Sequence, residues 1–357
     1  MRVAVLEFLS GGGTIDNAIS RSLQHEGMSM LSALANDLVL CGHEVHTCLS
    51  NVTILLKASL HGDVQIQELS LSDCNWLSSW ESIARTCNRT IVIAPELDHQ
   101  LERIVERLRA GGSMVVASSK EFLGAASDKL TTAHLLSASN VSHPSTRTLS
   151  QFLKTSSNAT PLAPMTMKRR DGAGCADMKY FANPVLLNDW LAKQILNGDG
   201  WIKGDEWIVQ PWLSGRPASM AVIAGDQWHV LGAVEQFIEI APASLACESS
   251  NVSYVGGTGP LKGVTLDQLE SLAKKVRQAF PPGAYGWIGI DLLVLNDPSG
   301  SQDLVVIEVN PRLTTSYLGY REWYGHKLAQ ALVADSSSSS LSNHLIATLP
   351  MHELTKW

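Results

Sequence analysis

The sequence predicts an α/β fold with a parallel sheet in its N-terminal part and an α+β, largely antiparallel C-terminal part. Three observations carry that expectation. Through the first third of the chain, short apolar runs alternate with stretches of helical period, the order that builds a parallel sheet with crossover helices. From residue 207 to 310, strand-like runs succeed one another with one helical stretch among them, the order of an antiparallel sheet. The 357 residues also exceed the roughly 250–300 at which a single core stops growing, so two or three lobes with a cleft between them are expected.

In the first domain, residues 1–118, strands are expected at 3–8, 43–49 and 90–94 and helices at 28–40 and 97–108. Gly111-Gly112 closes the second helix, and residues 113–117 supply a further strand. Residues 119–209 read as a linker and a small, mobile lobe. Ser119 is placed to cap one helix, a second starts at Ser127-Asp128-Lys129 and runs to about Ser139 before His143-Pro144-Ser145 breaks it, and a third occupies 184–195. Residues 210–335 are the larger lobe, opened by a strand at 207–212 and continued by strands at 219–224 and 228–239, a helix at 266–280 and two long strands. The serine run 336–340 begins a loop and tail, 336–357, too short to be a domain.

Composition narrows the function. With 45% hydrophobic and 17% charged residues the chain reads as a soluble globular protein, and no uninterrupted apolar run reaches the length of about 18 residues that a membrane span needs. The opening Met1-Arg2-Val3-Ala4-Val5-Leu6 is interrupted by Glu7 and reads as a strand rather than a signal peptide, so a cytoplasmic location is expected. Six cysteines without a CxxC pair read as reduced thiols, and the Asn-x-Ser/Thr sequons then have no route to a glycan. A net charge of −7, with no basic run longer than Lys168-Arg169-Arg170, lacks the electrostatic footprint of a nucleic-acid binder. Small-molecule substrates are expected, with no nucleic acid and no membrane as partner, and with monomer and homo-oligomer both left open.

The chemistry concentrates near the C-terminal end. Residues 287–295 and 304–310 are strand-like runs joined by a loop of turn formers and make an antiparallel hairpin. Side chains alternate across a strand, so Glu308 and Asn310 should share one face while Ile307 and Val309 point into the core. Asp291 joins them if the register sets it opposite, giving a hard-oxygen site suited to magnesium shared with nucleotide phosphates. Arg312, just past the strand, would neutralise a transferring phosphoryl group or grip a carboxylate. The competing expectation is a solvated strand end, with Arg312 as the surface ion pair of Glu308.

Gly286-Trp287-Ile288-Gly289-Ile290-Asp291 followed by Glu308-Val309-Asn310-Pro311-Arg312 resembles the C-terminal signature of the ATP-grasp enzymes. That resemblance implies an ATP-grasp fold: an N-terminal pre-ATP-grasp domain, a small lid and an antiparallel catalytic lobe. It implies ATP and Mg2+, with Mn2+ as a substitute, and maps the metal ligands onto Asp291, Glu308 and Asn310. Arg312 takes the place of the family's arginine that stabilises the phosphate or intermediate. Lys129 and Lys168 take the places of the two lysines that reach the ATP phosphates, Lys168 counting also as catalytic. Asp171-Gly172-Ala173-Gly174 resembles the loop that folds over the phosphates, which assigns Asp171, Gly172 and Gly174 to nucleotide binding. The run Trp207 to Gly215 resembles the hinge that pairs with adenine, with Gln210, Trp212 and Leu213 beside it. Three departures stand out. Arg169 replaces a common proline, Cys175 a common glycine, and Arg216-Pro217-Ala218 lacks the usual ribose-binding glutamate.

Longer segments resemble the tyramine-glutamate ligases of methanofuran biosynthesis and their bacterial relatives: Ile93-Ala94-Pro95-Glu96, Ser118-Ser119-Lys120-Glu121 with Asp128-Lys129, residues 171–175, and Asn310-Pro311-Arg312-Leu313-Thr314-Thr315-Ser316. The implied reaction is an ATP-dependent amide ligation. A glutamate carboxyl becomes an acyl phosphate and is taken by the amine of tyramine or tyrosine, releasing ADP and phosphate. Glu7 with residues 10–13, Glu96, and Thr314-Thr315 are candidate substrate contacts, because loops after strands favour ligands. Two alternatives share the motif: a peptide- or carbamoyl-forming ligase, and a nucleotide-binding regulator without turnover. A dinucleotide fingerprint at Ser10 to Gly13 fails on spacing.

Overall fold

The computed structural model describes residues 1–13, 21–50, 54–69, 75–155, 163–175, 177–196, 204–241, 249–296 and 302–334. The serine run and tail lie outside these residues, as do Cys74 and Cys247. The described cysteines, Cys41, Cys48, Cys87 and Cys175, are free thiols. No described helix is long and apolar enough to cross a membrane.

The N-terminal part is built from β1 (Arg2–Glu7), α1 (Arg21–Leu40), β2 (Glu44–Ser50), β3 (Gln65–Leu69), α2 (Trp76–Thr86), β4 (Arg89–Ile93) and α3 (Gln100–Ala110). Its four strands are parallel in the order β3-β2-β1-β4. β1 is buried along nearly its whole length, as a central parallel strand covered on both faces must be. α3 buries Leu101, Ile104, Val105 and Leu108, a stripe at helical spacing that packs with Trp80 and Ile83 of α2 on the sheet. The strand expected at 113–117 is reduced to one parallel bridge, Thr90 to Val115. Thr90 N donates to Met114 O and Val116 N to Thr90 O, and the chain then turns, with Ala117 N on Val115 O and the Arg109 guanidinium on the Ala117 and Ser118 carbonyls.

Next come α4 (Lys120–Ser127) and α5 (Lys129–Ala138). Ser119 caps the first, accepting from Phe122 N at 3.2 Å, and Asp128 caps the second, accepting from Leu130 N at 2.9 Å. The small lobe holds β5 (Arg147–Thr148), α6 (Leu149–Thr155), β6 (Met165–Arg169), β7 (Lys179–Phe181), α7 (Pro184–Leu196) and β8 (Trp207–Pro211). The strand expected to open the larger lobe, β8, pairs instead with β6 and β5 of the small lobe.

The larger lobe comprises β9 (Arg216–Ala224), β10 (Trp228–Ile240), β11 (Ser250–Thr258), α8 (Leu266–Ala279), β12 (Gly286–Asn296), β13 (Gln302–Asn310), α9 (Tyr317–Tyr324) and α10 (Lys327–Val333). One nine-stranded sheet runs β13-β12-β9-β10-β11-β7-β6-β8-β5, so β11 joins the lobes by pairing with β10 on one side and β7 on the other. α8 opens with a Thr265–Gln268 capping box and lays Leu269, Leu272, Ala273 and Val276 into the core shared with the sheet. On the opposite face α9 and α10 pack with α1 and tie the larger-lobe sheet to the N-terminal domain. Buried Asp37 of α1 accepts from Tyr317 Oη at 2.8 Å and from Arg321 Nε at 2.9 Å across that junction.

Where β9 and β10 lose register between Val230 and Ala233, a side chain completes the ladder. Tyr320 Oη accepts from Ala221 N at 3.1 Å and donates to Gly232 O at 2.8 Å, in a fully buried position. Tyr320→Phe leaves both backbone groups without that partner, and is expected to cost about 1–3 kcal/mol. The expected result is a lower urea midpoint at unchanged slope; an unmoved midpoint would show that the irregularity satisfies itself.

Candidate functional site

A cavity of about 460 Å³ lies where the N-terminal domain, the small lobe and the larger lobe meet. Lys168, Gly174, Gln210, Trp212, Leu213, Asp291, Glu308, Asn310 and Arg312 all line it, so the structure brings together most of the residues singled out in the sequence. Asp171, Gly172 and Lys129 do not line it. Lys129 still reaches its chemistry through Glu308, with Nζ at 3.5 Å from Oε2.

The hairpin register places Asp291 directly opposite Glu308 and Gly289 opposite Asn310. The next pair is Leu292 with Val306, so Ile307 is an extra residue on β13, a β-bulge. This overturns the expectation that Ile307 points into the core. It is half-buried and lines the cavity beside Glu308, while Val309, Val306 and Leu292 are buried in the core. The motif glycines have distinct reasons. Gly286 has φ +82°, a conformation that side chains rarely adopt. A Cβ on Gly289 would stand 2.6 Å from Thr314 Cγ2, so the Thr314 segment packs there only against glycine.

Asp291 accepts from Gln236 Nε2 at 3.1 Å and from Asn310 Nδ2 at 3.0 Å, and Ser219 bonds it too. Gln236 and Ser219 were missed in the sequence, because only the pairing of β9, β10 and β12 brings them to Asp291. Burial first, and then the charge of Glu308, push the Asp291 carboxyl up to about 7. Burial would also raise Glu308, but the charges of Lys129 and then Lys168 outweigh it and hold that carboxyl well below the usual range. Lys168 Nζ stands 3.7 Å from Glu308 Oε2. Burial lowers the Lys168 pKa, and Glu308 partly offsets this.

Among the described residues no three His, Cys, Asp or Glu side chains converge to hold a metal. The donor set here is two carboxylates and an amide, and it fits a hard cation that completes its shell with phosphate oxygens. The Asn310 amide nitrogen faces both carboxylates; rotating that amide would present its oxygen instead.

The residues around this centre are held by specific contacts. Arg312 donates from Nε to Glu96 Oε1 at 2.9 Å, and Glu96 is buried, not a solvated partner. The expected alternative, a surface pair of Arg312 with Glu308, is therefore not what forms. Gln210 donates to Thr146 Oγ1 at 2.8 Å, and Trp212 packs edge-on against Tyr180 with centroids 5.3 Å apart. Asp171 turns away from the cavity to Arg169 and to the Asp98 backbone N–H, and the Gly172 carbonyl accepts from Lys129. Ala173, Gly174 and Cys175 face the cavity in their place. Burial raises the Cys175 thiol to about 12, so it stays protonated.

The N-terminal wall carries Leu9, Leu23, Glu26 and Met30. Glu7 also lines the cavity, but its carboxylate accepts from Leu9 N at 3.1 Å and Ser10 N at 2.7 Å and is engaged in its own loop.

Comparison with known proteins gives consistent results. A model described as the ATP-grasp domain matches residues 126–316, and one described as the pre ATP-grasp 3 domain matches 51–121. The tyramine–L-glutamate ligase of Methanocaldococcus jannaschii is 25% identical over 137 residues, covering 38% of this chain and 38% of that enzyme. A D-alanine–D-alanine ligase of Methylorubrum populi is 32% identical over 133 residues, covering 35% of this chain and 40% of that enzyme. The matched stretches thus span well under half of either ligase. Among solved structures, an ATP-grasp superfamily protein from Archaeoglobus fulgidus superposes with a TM-score of 0.63 at 20% identity, over 93% of this chain and 87% of that one. N5-carboxyaminoimidazole synthetase from Staphylococcus aureus, complexed with ADP, gives 0.61 at 13% identity, over 90% of this chain and 73% of that one. These two likenesses concern the fold alone. With the ATP-grasp model spanning more than half of its residues, the chain belongs to the ATP-grasp family.

Proposed function

We propose that this protein is an ATP-dependent ligase that activates a carboxylate as an acyl phosphate and passes it to an amine. The observation that carries this is the convergence of Lys168, Asp291, Glu308, Asn310 and Arg312 on one cavity, with Lys129 bound to Glu308 behind it. Gln210, Trp212 and Leu213 at the hinge would hold the adenine of ATP, and Lys168, Lys129 and the 173–174 backbone would receive its phosphates. Asp291, Glu308 and Asn310 are the residues that would hold Mg2+, which supplies charge neutralisation at the phosphates. Arg312, oriented by Glu96, faces the carboxylate and stabilises the charge that develops as the γ-phosphoryl is transferred. Closure of the small lobe excludes water from the acyl phosphate.

The acceptor enters along the N-terminal wall. Glu26 set among Leu9, Leu23 and Met30 suits a cationic amine on an apolar body. The similarity to tyramine–L-glutamate ligases supports glutamate as the carboxylate and tyramine or tyrosine as the amine, in a methanofuran-type cofactor pathway. The similarity to D-alanine–D-alanine ligases supports the rival, an amino acid as acceptor.

ADP release with ATP, Mg2+ and L-glutamate, run with tyramine, tyrosine or no amine and in parallel with D-alanine alone, decides the substrates. Amine-dependent ADP with a glutamyl amide in the mass spectrum is expected; D-alanine-dependent ADP alone would give the rival its place. Arg312→Lys, which keeps a charge for Glu96 but loses the fork, and Glu308→Gln are expected to lower turnover at least about a hundredfold. Turnover like that of the unaltered protein in either would remove the assignment.

Metal binding should also depend on pH. Because the Asp291 carboxyl is raised to about 7, a cation must displace its proton below that pH. The sign is that a raised acid stabilises the metal-free fold at low pH and ceases to as pH climbs through 7. Affinity for Mg–ADP should therefore fall toward a limit of about tenfold per pH unit below 7. Calorimetry at pH 6 and pH 8 checks this. Asp291→Asn should keep only the pH dependence of the nucleotide itself, and equal slopes in the two proteins would refute it.

A further inference from the structure

The strap between β4 and α3 contains two consecutive left-handed residues that are not glycine, Asp98 at φ 51° and His99 at φ 58°. Such backbone persists only where its surroundings hold it, and it tends to gather at working sites. Here the turn aims the Asp98 backbone N–H at Asp171 Oδ2, at 2.8 Å. Arg169 then forks between the same two residues, from Nη2 to Asp98 Oδ1 at 3.0 Å and from Nε to Asp171 Oδ1 at 3.1 Å. An exposed ion pair alone is worth little, and Asp98 is 64% exposed. A backbone hydrogen bond from a strained turn and a guanidinium shared by two carboxylates make a closed set of three contacts instead.

The set joins separate parts of the molecule. Asp98 belongs to the N-terminal domain, while Arg169 ends β6 and Asp171 opens the glycine loop of the small lobe. Two residues before Asp98, buried Glu96 accepts from Arg312. One short strap thus holds the glycine loop through the Asp98 N–H and the Arg169 it shares with Asp171, and holds Arg312 through Glu96.

We propose that Asp98 and Arg169 are positioning residues that hold the 171–174 loop over the phosphate side of the cavity, in register with the Arg312 that Glu96 orients. Asp171 works as the loop's anchor, with its side chain turned from the nucleotide, and the Arg169 that departs from the family pattern is what makes the anchor. The inference rests on the nucleotide-binding role given above to that loop.

Two measurements on the full chain test it: amide exchange at 171–175 without nucleotide, and calorimetric affinity for Mg–ADP. Asp98→Ala and Arg169→Ala should each speed exchange there and weaken Mg–ADP about tenfold, within the usual range of coupling between sites. α8 should keep its protection. Arg169→Lys, able to reach one carboxylate, should recover part of the loss, and the double alanine variant should be little worse than either single one. Unchanged exchange in both alanine variants overturns the proposal, as does loss of protection shared equally by α8, which would make the contacts general stabilisers. If the unaltered protein bound no Mg–ADP, the nucleotide role would fall, while the exchange at 171–175 would still decide whether the strap holds the loop.

Discussion

Glu308, half-buried, stands between two buried ammonium groups, Lys129 at 3.5 Å and Lys168 at 3.7 Å. They come from three parts of the chain: Lys129 from the start of α5, Lys168 from β6 of the small lobe, and Glu308 from β13 of the larger lobe. Burying such a set adds little stability, since apolar residues of equal size commonly do as well. What it provides is placement. Asp128 caps α5 and binds Arg170, which fixes the start of Lys129, and β6 is held between β7 and β8. With one carboxylate for two ammonium groups, the centre keeps an excess of positive charge, as a polyphosphate requires.

The same carboxylate forces a division of labour with Asp291. Two anions opposite each other in a buried hairpin cannot both ionise easily, and Glu308 has the lysines. Asp291 is therefore the one pushed toward its neutral form, bonded by Gln236, Ser219 and Asn310. The bulge at Ile307 keeps both the acidic face and the core face satisfied, because Glu308 and Asn310 stay on the cavity while Val306 still returns to the core.

Much of this was legible in the sequence. Hairpin strands show as apolar runs around a turn, and the acidic positions follow from alternation. Ile307 was not legible, since a bulge leaves no mark in hydrophobic pattern. The helix starts at Ser119 and Asp128 are marked by capping side chains, but the strand expected at 113–117 keeps only the bridge of Val115 to Thr90, because the chain turns where Ala117 N bonds Val115 O. β3 and α2 escaped notice: β3 is largely exposed, and α2 buries only three residues. The pairing of β8 with the small lobe, and the arrival of Gln236 and Ser219 at Asp291, depend on register across non-consecutive strands. No local window contains that information.

Asp171 shows why a motif and a side chain's task are separate matters. The glycine loop was found by its pattern, and its backbone does line the cavity through Ala173 and Gly174. Its aspartate serves geometry: a loop of small residues has few contacts of its own, so something outside must fix it. That something is the strap at 95–99, whose Glu96 also fixes Arg312, and it lies outside the stretch matched by the ATP-grasp domain. The N-terminal domain thus takes part in the cavity in two ways, lining one wall with Leu9, Leu23, Glu26 and Met30 and contacting both the loop and Arg312 through the strap. Near-attack geometry is sensitive to errors of about 1 Å. A left-handed turn bonded to the small lobe, two residues from the carboxylate that holds Arg312, is a means of tying the distance between the loop and Arg312 to the assembled state.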